Sequence, residues 1–317
     1  MNISIIIPTY NVQDYIAKCL ESIAIQTYTD GVECLVIDDC GTDNSIAVAE
    51  QFIADYSGPI PFQIIHHEQN KGVSAARNTG IRQAKGKYLY FIDPDDWMTN
   101  DCLEKMMNMA TKYPTANLIQ GNTFCNSKWA RLEGKKLPAF SDDRKWIKKK
   151  FLTLNYLPTT CWNKLIKREF VVDNGLFFKE GFLHEDEMWQ WGLSKTVRAI
   201  AFLLDKTYHY TILRPSGIMD TMTKKKDHFL FFVLELWVED IDDFCKDEQI
   251  AYIFEKIRRI TPNIETEEDW EHTERLLNTL SAKSKKSKRM VLRIFQKSPR
   301  HLQSIRLWGS VISKLLK

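Results

Sequence analysis

The chain has 317 residues, 44% apolar and 27% charged, a balance that excludes a disordered or fibrous polymer and suffices for one large domain with an appendage. The formal charge of +3 hides an asymmetry: residues 281–317 hold eleven Lys/Arg and no Asp/Glu, leaving 33 basic against 41 acidic groups elsewhere. Seven scattered cysteines with no Cys-x-x-Cys argue against a disulfide framework or a zinc site and for a reducing compartment. Met1-Asn2-Ile3-Ser4 lacks the charged and apolar regions of a signal peptide, and no run reaches the roughly 18 apolar residues of a spanning helix. The expectation is a cytoplasmic protein.

Asn2 to Pro8 reads as a short apolar strand closed by Pro8-Thr9-Tyr10-Asn11. Tyr15, Ile16, Cys19, Leu20 and Ile23 then recur at helical spacing, predicting a helix over 12–27. Glu33 to Ile37 is a second strand ending in Asp38-Asp39, followed by a helix over 43–56 with Asp43 or Thr42 as its cap. Phe62 to Ile65 is a third strand, Gly72 to Ala84 a third helix, and Tyr88 to Ile92 a fourth strand. This alternation predicts an α/β fold: a mostly parallel central sheet flanked by helices, with ligands outside the carboxyl ends of the strands. Thr9, Tyr10, Asp38, Asp39 and Asp93 to Asp96 all fall there.

The fourth strand runs into Asp93-Pro94-Asp95-Asp96. Pro94 cannot donate to a sheet ladder, so the strand ends in a rigid corner that gathers three carboxylates. Like charges so close raise one another's pKa, and a divalent cation removes the conflict; carboxylate oxygens suit Mg²⁺ or Mn²⁺. The competing interpretation is a solvated acidic turn. Neither Gly-x-Gly-x-x-Gly after the first strand nor Gly-x-x-x-x-Gly-Lys-[Ser/Thr] is present, so dehydrogenase and P-loop activities lose their main support.

Four ordered stretches, Ile5-Ile6-Ile7-Pro8-Thr9-Tyr10-Asn11, Val36-Ile37-Asp38-Asp39, Gly72 to Ile81 and Phe91 to Trp97, resemble the family 2 glycosyltransferases of the GT-A fold, of the kind that serves bacterial capsule, lipopolysaccharide or exopolysaccharide synthesis. The resemblance covers residues 1–215, with a nucleotide-binding half over 1–98 and an acceptor half over 99–215. Residues 216–317 would form a helical extension with a basic amphipathic tail. One departure is Cys40-Gly41-Thr42-Asp43-Asn44-Ser45, where the family usually has Gly-Ser after the paired Asp.

The resemblance implies an inverting transferase that moves one sugar from a nucleoside-diphosphate donor, UDP-linked, to a hydroxyl of a glycan or lipid-linked glycan. Pro8, Thr9, Tyr10, Asp38, Asp39, Arg77 and Asp93 would face the donor nucleotide: Tyr10 against the base ring, Asp39 accepting from a base N–H, and Asp38 on the ribose or structural. The fork of Arg77 could reach a phosphate or pair with the Asp cluster. Asp95, with Asp93 and Asp96, would hold Mn²⁺ or Mg²⁺. In Glu185-Asp186 the resemblance implies that Asp186 is the general base. Trp162, Asn163, Lys164, His184, Glu185 and Arg214 would contact acceptor or phosphate, with core packing as the alternative for Trp162 and an orienting or capping role for Glu185.

In the extension, Phe229 to Trp237 reads as a buried helix and 266–280 as an acidic-polar one. From Lys283 the apolar spacing of Met290, Val291, Ile294, Phe295, Leu302, Ile305, Trp308, Val311 and Leu315 within basic sequence suits a helix on an anionic membrane face. Packing on the body is the alternative, and nucleic acid is not an expected partner, since no recognition motif accompanies the charge. A sugar-phosphate nucleotidyltransferase and a non-catalytic glycan-binding relative are the rival functions. The first usually opens with a Gly-rich phosphate loop, missing here; the second has no need for both Asp95 and Asp186.

Overall fold

A computed structural model of the chain describes residues 1–125, 127, 129–211, 223–260, 264 and 266–284. It divides into two compact units, one of residues 1–147 and 155–212, the other of 148–154 and 213–317.

The first unit is built on one mixed sheet. Its strands are β1 (Ile3–Thr9), β2 (Val32–Asp38), β3 (Phe62–His66), β4 (Tyr88–Phe91), β5 (Trp97–Met98), β6 (Leu118–Thr123), β7 (Phe140–Ser141), β8 (Lys164–Lys167) and β9 (Ile200–His209). The spatial order is β3-β2-β1-β4-β8-β6-β9-β5, with β7 on β9. The four strands expected from the sequence are mutually parallel, β1 between β2 and β4 and β2 beside β3. Beyond β4 the pairing changes: β8 runs antiparallel to both β4 and β6, while β6 and β9 are parallel. β1, β2, β4 and β6 are buried along nearly their whole length, as parallel strands covered on both faces require.

The helices α1 (Ile16–Ala24), α2 (Ser45–Asp55) and α3 (Val73–Gln83) fall inside the predicted spans, each shorter by the residues that serve as caps and turns. The cap predicted at Asp43 sits two residues before the helix: its Oδ1 accepts the Ser45 N–H at 2.9 Å and its Oδ2 the Gln13 N–H at 2.9 Å, tying the second strand–helix loop to the first. Gly72 and Gly80 are glycine for different reasons. Gly72 has φ +87° with open space around it, so its backbone angle is the constraint. At Gly80 a Cβ would lie 2.3 Å from Ile6 Cγ2, so close packing of α3 on β1 is the constraint. Helices α4 (Cys102–Lys112), α6 (Arg168–Asp173) and α7 (Glu185–Thr196) complete the layers, and α5 (Arg144–Phe151) begins in this unit and ends in the other.

The second unit holds α8 (Thr223–Glu239), α9 (Lys246–Ile260) and α10 (Glu267–Lys283), which pack on one another. Leu230, Phe231, Val233, Leu234 and Trp237 of α8 are buried, while Phe232 and Leu236 are exposed. Thr266 caps α10 by accepting the Asp269 N–H. Among the described residues no helix is long and apolar enough to cross a membrane. Arg214 and tail residues 285–317 lie outside the described residues.

Candidate active site

The site forms where β1, β2 and β4 end together. Thr9 and Pro8 are buried in the last turn of β1, and Tyr10, the next residue, is 44% exposed and free to present a ring face. The paired aspartates after β2 diverge. Asp38 stays near the surface, its Oδ1 accepting the Cys40 N–H at 3.0 Å and its Oδ2 lying 2.8 Å from His66 Nδ1. Asp39 is only 2% exposed. Its Oδ1 accepts the Lys71 N–H at 2.8 Å and lies 2.8 Å from His67 Nδ1, and its Oδ2 accepts the Gly72 N–H at 2.8 Å. Asp39 is thus primarily a clamp on the loop that starts α3, with one lone pair of Oδ2 left for any base N–H.

The corner after β4 forms as expected. Ligand oxygens of Asp93, Asp95 and Asp96 lie within 4.8 Å of one another. The three are not equivalent. Asp96 is buried, accepting from Tyr208 Oη at 2.7 Å and from the Thr211 N–H at 2.7 Å. Burial, then the charges of Asp93 and Asp95, push its carboxyl well above the ordinary range. Both Asp96 oxygens are engaged, so Asp93 and Asp95, both partly exposed, are the groups presented to a cation. An all-oxygen donor set from neighbouring carboxylates fits Mg²⁺ or Mn²⁺.

Arg77 is the centre of the arrangement. It is buried in α3, and its Nη2 donates to Asp93 Oδ1 at 3.1 Å while its Nη1 donates to Glu185 Oε1 at 2.7 Å. Nη1 also lies 3.8 Å from Asp186 Oδ1. Of the two roles open to this fork, the structure shows pairing with the carboxylates. One guanidinium therefore ties the acidic corner to the first turn of α7. Asp186 Oδ1 is sealed from solvent and has no hydrogen-bond partner. Burial first, then Glu185 and Asp93, opposed by Arg77 and Lys164, push the Asp186 carboxyl up to about 7.

The chain enters α7 through His184, half-buried and in the left-handed region with φ 65°. Asn78, next to Arg77, holds the segment before it. Its Nδ2 donates to Phe178 O at 2.9 Å and to Glu180 Oε1 at 2.9 Å, and its Oδ1 accepts the Phe178 N–H at 2.8 Å. Beneath, Phe178 stacks on Trp189 at 5.2 Å, and Phe91 of β4 meets both edge-on. Asn78, Tyr208 and Thr211 were not found from sequence. Asn78 carried a signal, a second polar residue on the buried face of its helix; Tyr208 and Thr211 carried none, because β9 reaches the corner only through long-range pairing.

Three expected acceptor contacts are corrected. Trp162 is 1% exposed, stacked on Tyr208 at 4.7 Å and on Tyr210 at 5.3 Å, so the packing alternative holds. Asn163 is buried with φ 54°; its Nδ2 donates to Asn122 O at 2.9 Å and its Oδ1 accepts from Tyr90 Oη at 3.2 Å. Lys164 is also buried, its Nζ donating to the carbonyls of Pro158 and Thr160, and burial pulls its pKa down to about 8. All three lead into or start β8, a central strand covered on both faces, which takes their side chains out of reach of an acceptor.

Residues 4–173 match the glycosyl transferase family 2 domain, more than half of the chain, and the protein belongs to that family. The uncharacterized glycosyltransferase YibD of Escherichia coli K12 is 31% identical over 198 residues, which are 59% of this chain and 54% of that protein. The chain thus spans about half the length of this curated relative. The crystal structure of Staphylococcus aureus TarS residues 1–349 in complex with UDP-GlcNAc superposes with TM-score 0.69 at 18% identity, covering 99% of this chain and 91% of that one. A mannosyltransferase from Pyrobaculum calidifontis in complex with GDP-Man and Mn²⁺ gives 0.60 at 16% identity, covering 99% and 84%. Both likenesses establish the GT-A fold for this chain.

Proposed function

We propose that the protein is an inverting, metal-dependent glycosyltransferase that moves one sugar from a nucleoside-diphosphate sugar, UDP-linked, to a hydroxyl of a glycan or lipid-linked glycan. The observation that carries this reading is the Arg77 bridge, which brings the Asp93 corner and the Glu185–Asp186 turn to one guanidinium. Asp93 and Asp95 would hold the cation, with Asp96 fixed behind them by Tyr208 and Thr211. A divalent ion there would supply positive charge for the departing diphosphate.

The acceptor oxygen forms a bond to the anomeric carbon as the bond from that carbon to the phosphate oxygen breaks, and the electron pair leaves with the nucleoside diphosphate. Asp186 takes the hydroxyl proton. A carboxylate with a pKa of about 7 is matched to that task near neutral pH, being about half ionised there and basic enough to accept. Attack opposite the leaving group inverts the centre. Tyr10 offers an exposed ring for the base, and Oδ2 of Asp39 its remaining lone pair. A UDP donor is supported by the fold shared with TarS, whose structure carries UDP-GlcNAc. The basic tail of residues 281–317 would rest on an anionic membrane face, placing the enzyme on the cytoplasmic side with lipid-linked acceptors. Liposome pelleting with and without this tail tests that part, and equal recovery in the supernatant contradicts it.

The direct test is UDP release from a panel of UDP-glucose, UDP-galactose and UDP-GlcNAc with Mn²⁺. Release from at least one donor, abolished by EDTA and restored by Mn²⁺ or Mg²⁺, is expected. Full activity after chelation would remove the metal from the mechanism. No release from any donor, together with no thermal stabilisation by UDP and Mn²⁺, would contradict the reading.

A further inference from the structure

Trp162, the ring expected to face an acceptor, is interior, but Phe124 at the end of a neighbouring strand is 43% exposed. β4 and β6 both run antiparallel to β8, and β9 is parallel to β6, so β4, β6 and β9 end at one edge of the sheet. Phe124 follows β6 and Tyr210 follows β9. With the start of α1 and the acidic corner they enclose a cleft of about 480 Å³, a size that suits a small ligand. Its walls include Asp14, Lys18, Asp95, Trp97, Phe124 and Tyr210. Asp95 thus belongs both to the cleft and to the carboxylate corner.

The rings of this cleft are fixed in advance. Trp97 stacks on His209 at 4.9 Å with 10° between the planes, and His209 on Phe124 at 4.1 Å with 7°. Lys18 Nζ lies 3.1 Å from the centroid of the Trp97 ring and caps the column at that end. One face of Phe124 is covered by His209, so its exposure belongs to the other face and the edge. Lys206 Nζ stands 5.8 Å from the Phe124 centroid and is held by Glu133 Oε1 at 2.7 Å. An aromatic ring already ordered before binding loses little freedom to a ligand, and its apolar face suits the C–H face of a pyranose. The charges point the same way. Asp14 and Asp95 oppose one ammonium, Lys18, which is seated on Trp97. An anionic ligand would meet like charge at Asp14, whereas a sugar hydroxyl can donate to it.

We propose that this cleft receives the acceptor as an uncharged pyranose, stacked on Phe124 with a hydroxyl donating to Asp14. Naming that sugar the acceptor rests on the glycosyltransferase reading above. In that reading the nucleotide lies past the ends of β1 and β2, and the cleft takes the other flank of the carboxylate corner.

Saturation-transfer NMR tests it in the presence of UDP and Mg²⁺, with the methyl glycosides of glucose, galactose and N-acetylglucosamine as probes and glycerol 3-phosphate as the anionic one. The wild type should saturate the ring C–H protons of at least one glycoside and leave glycerol 3-phosphate unsaturated. Phe124→Ala, at an exposed position, should lose the glycoside signal, and Phe124→Tyr should keep it. Both variants should still be stabilised by UDP and Mg²⁺ in thermal melts. No glycoside signal from the wild type, a signal kept by Phe124→Ala or lost by Phe124→Tyr, or saturation of glycerol 3-phosphate in place of the glycosides would each overturn the proposal. So would loss of the UDP–Mg²⁺ response in Phe124→Ala, since the effect would then not be confined to the acceptor. Absence of that response from the wild type would instead contradict the enzyme reading, and the acceptor assignment with it.

Discussion

The two halves of the sheet unit treat their polar residues in opposite ways. In residues 1–98 the strands are parallel, and each delivers its polar residues past its carboxyl end: Tyr10 after β1, Asp38 at the end of β2, Asp93 and Asp95 after β4. In residues 99–211 the polar stretch Trp162-Asn163-Lys164 meets β8, which is antiparallel to both neighbours in the middle of the sheet. There the same kinds of side chain become interior scaffolding. The difference teaches that strand direction and position decide whether an aromatic or amide residue reads a ligand or holds the core. Arg77 and Asn78 join the halves, each reaching from α3 to the segment around α7.

The largest effect that would break this comparison is expected at the junction. Arg77→Met should lower sugar transfer on the order of 10²–10³-fold, since it removes the charge that fixes both Asp93 and Glu185. Initial rates at saturating donor check this, and near-normal turnover would mean that the two carboxylate groups do not depend on each other. Trp162→Ala should cost about 3–5 kcal/mol of stability in chemical denaturation, the usual range for a buried aromatic. The folded fraction should keep its acceptor KM; a selective rise in that KM would return Trp162 to the acceptor site.

The pH dependence sharpens the contrast further. Transfer should rise tenfold per pH unit below about 7 and level off above it, following ionisation of Asp186. Stability should run the other way. A carboxyl raised from its ordinary value to about 7 in the folded state binds its proton more tightly there than when unfolded. Its contribution is therefore fully present below pH 4 and is lost as pH rises through about 7. Asp186→Asn should flatten that slope, read as melting temperatures at pH 5 and pH 8. The smallest effect is expected at the exposed edge, where Tyr10→Ala should raise donor KM about 3- to 10-fold with little change in kcat.

Much of the nucleotide half was legible in the sequence because its signals are local. A strand ends, a Pro94 corner follows, and three carboxylates fall within four positions. Arg77 and Asp186 were legible through the family resemblance, although their common meeting point was not, since 109 residues separate them along the chain. What sequence could not show depends on non-local pairing. Trp162 is interior because Tyr208 and Tyr210, on a distant stretch, close over it. Asp39 turns inward because Lys71 and Gly72, more than thirty residues on, present their N–H groups to it.

The most direct test pairs two readings on one variant, Asp186→Asn. If Asp186 is the base and the acidic corner is a separate metal site, transfer should fall by about 10²–10⁴-fold while UDP and Mn²⁺ still raise the melting temperature as they do for wild type. Undiminished transfer, or loss of the UDP–Mn²⁺ response along with transfer, would contradict that division of roles.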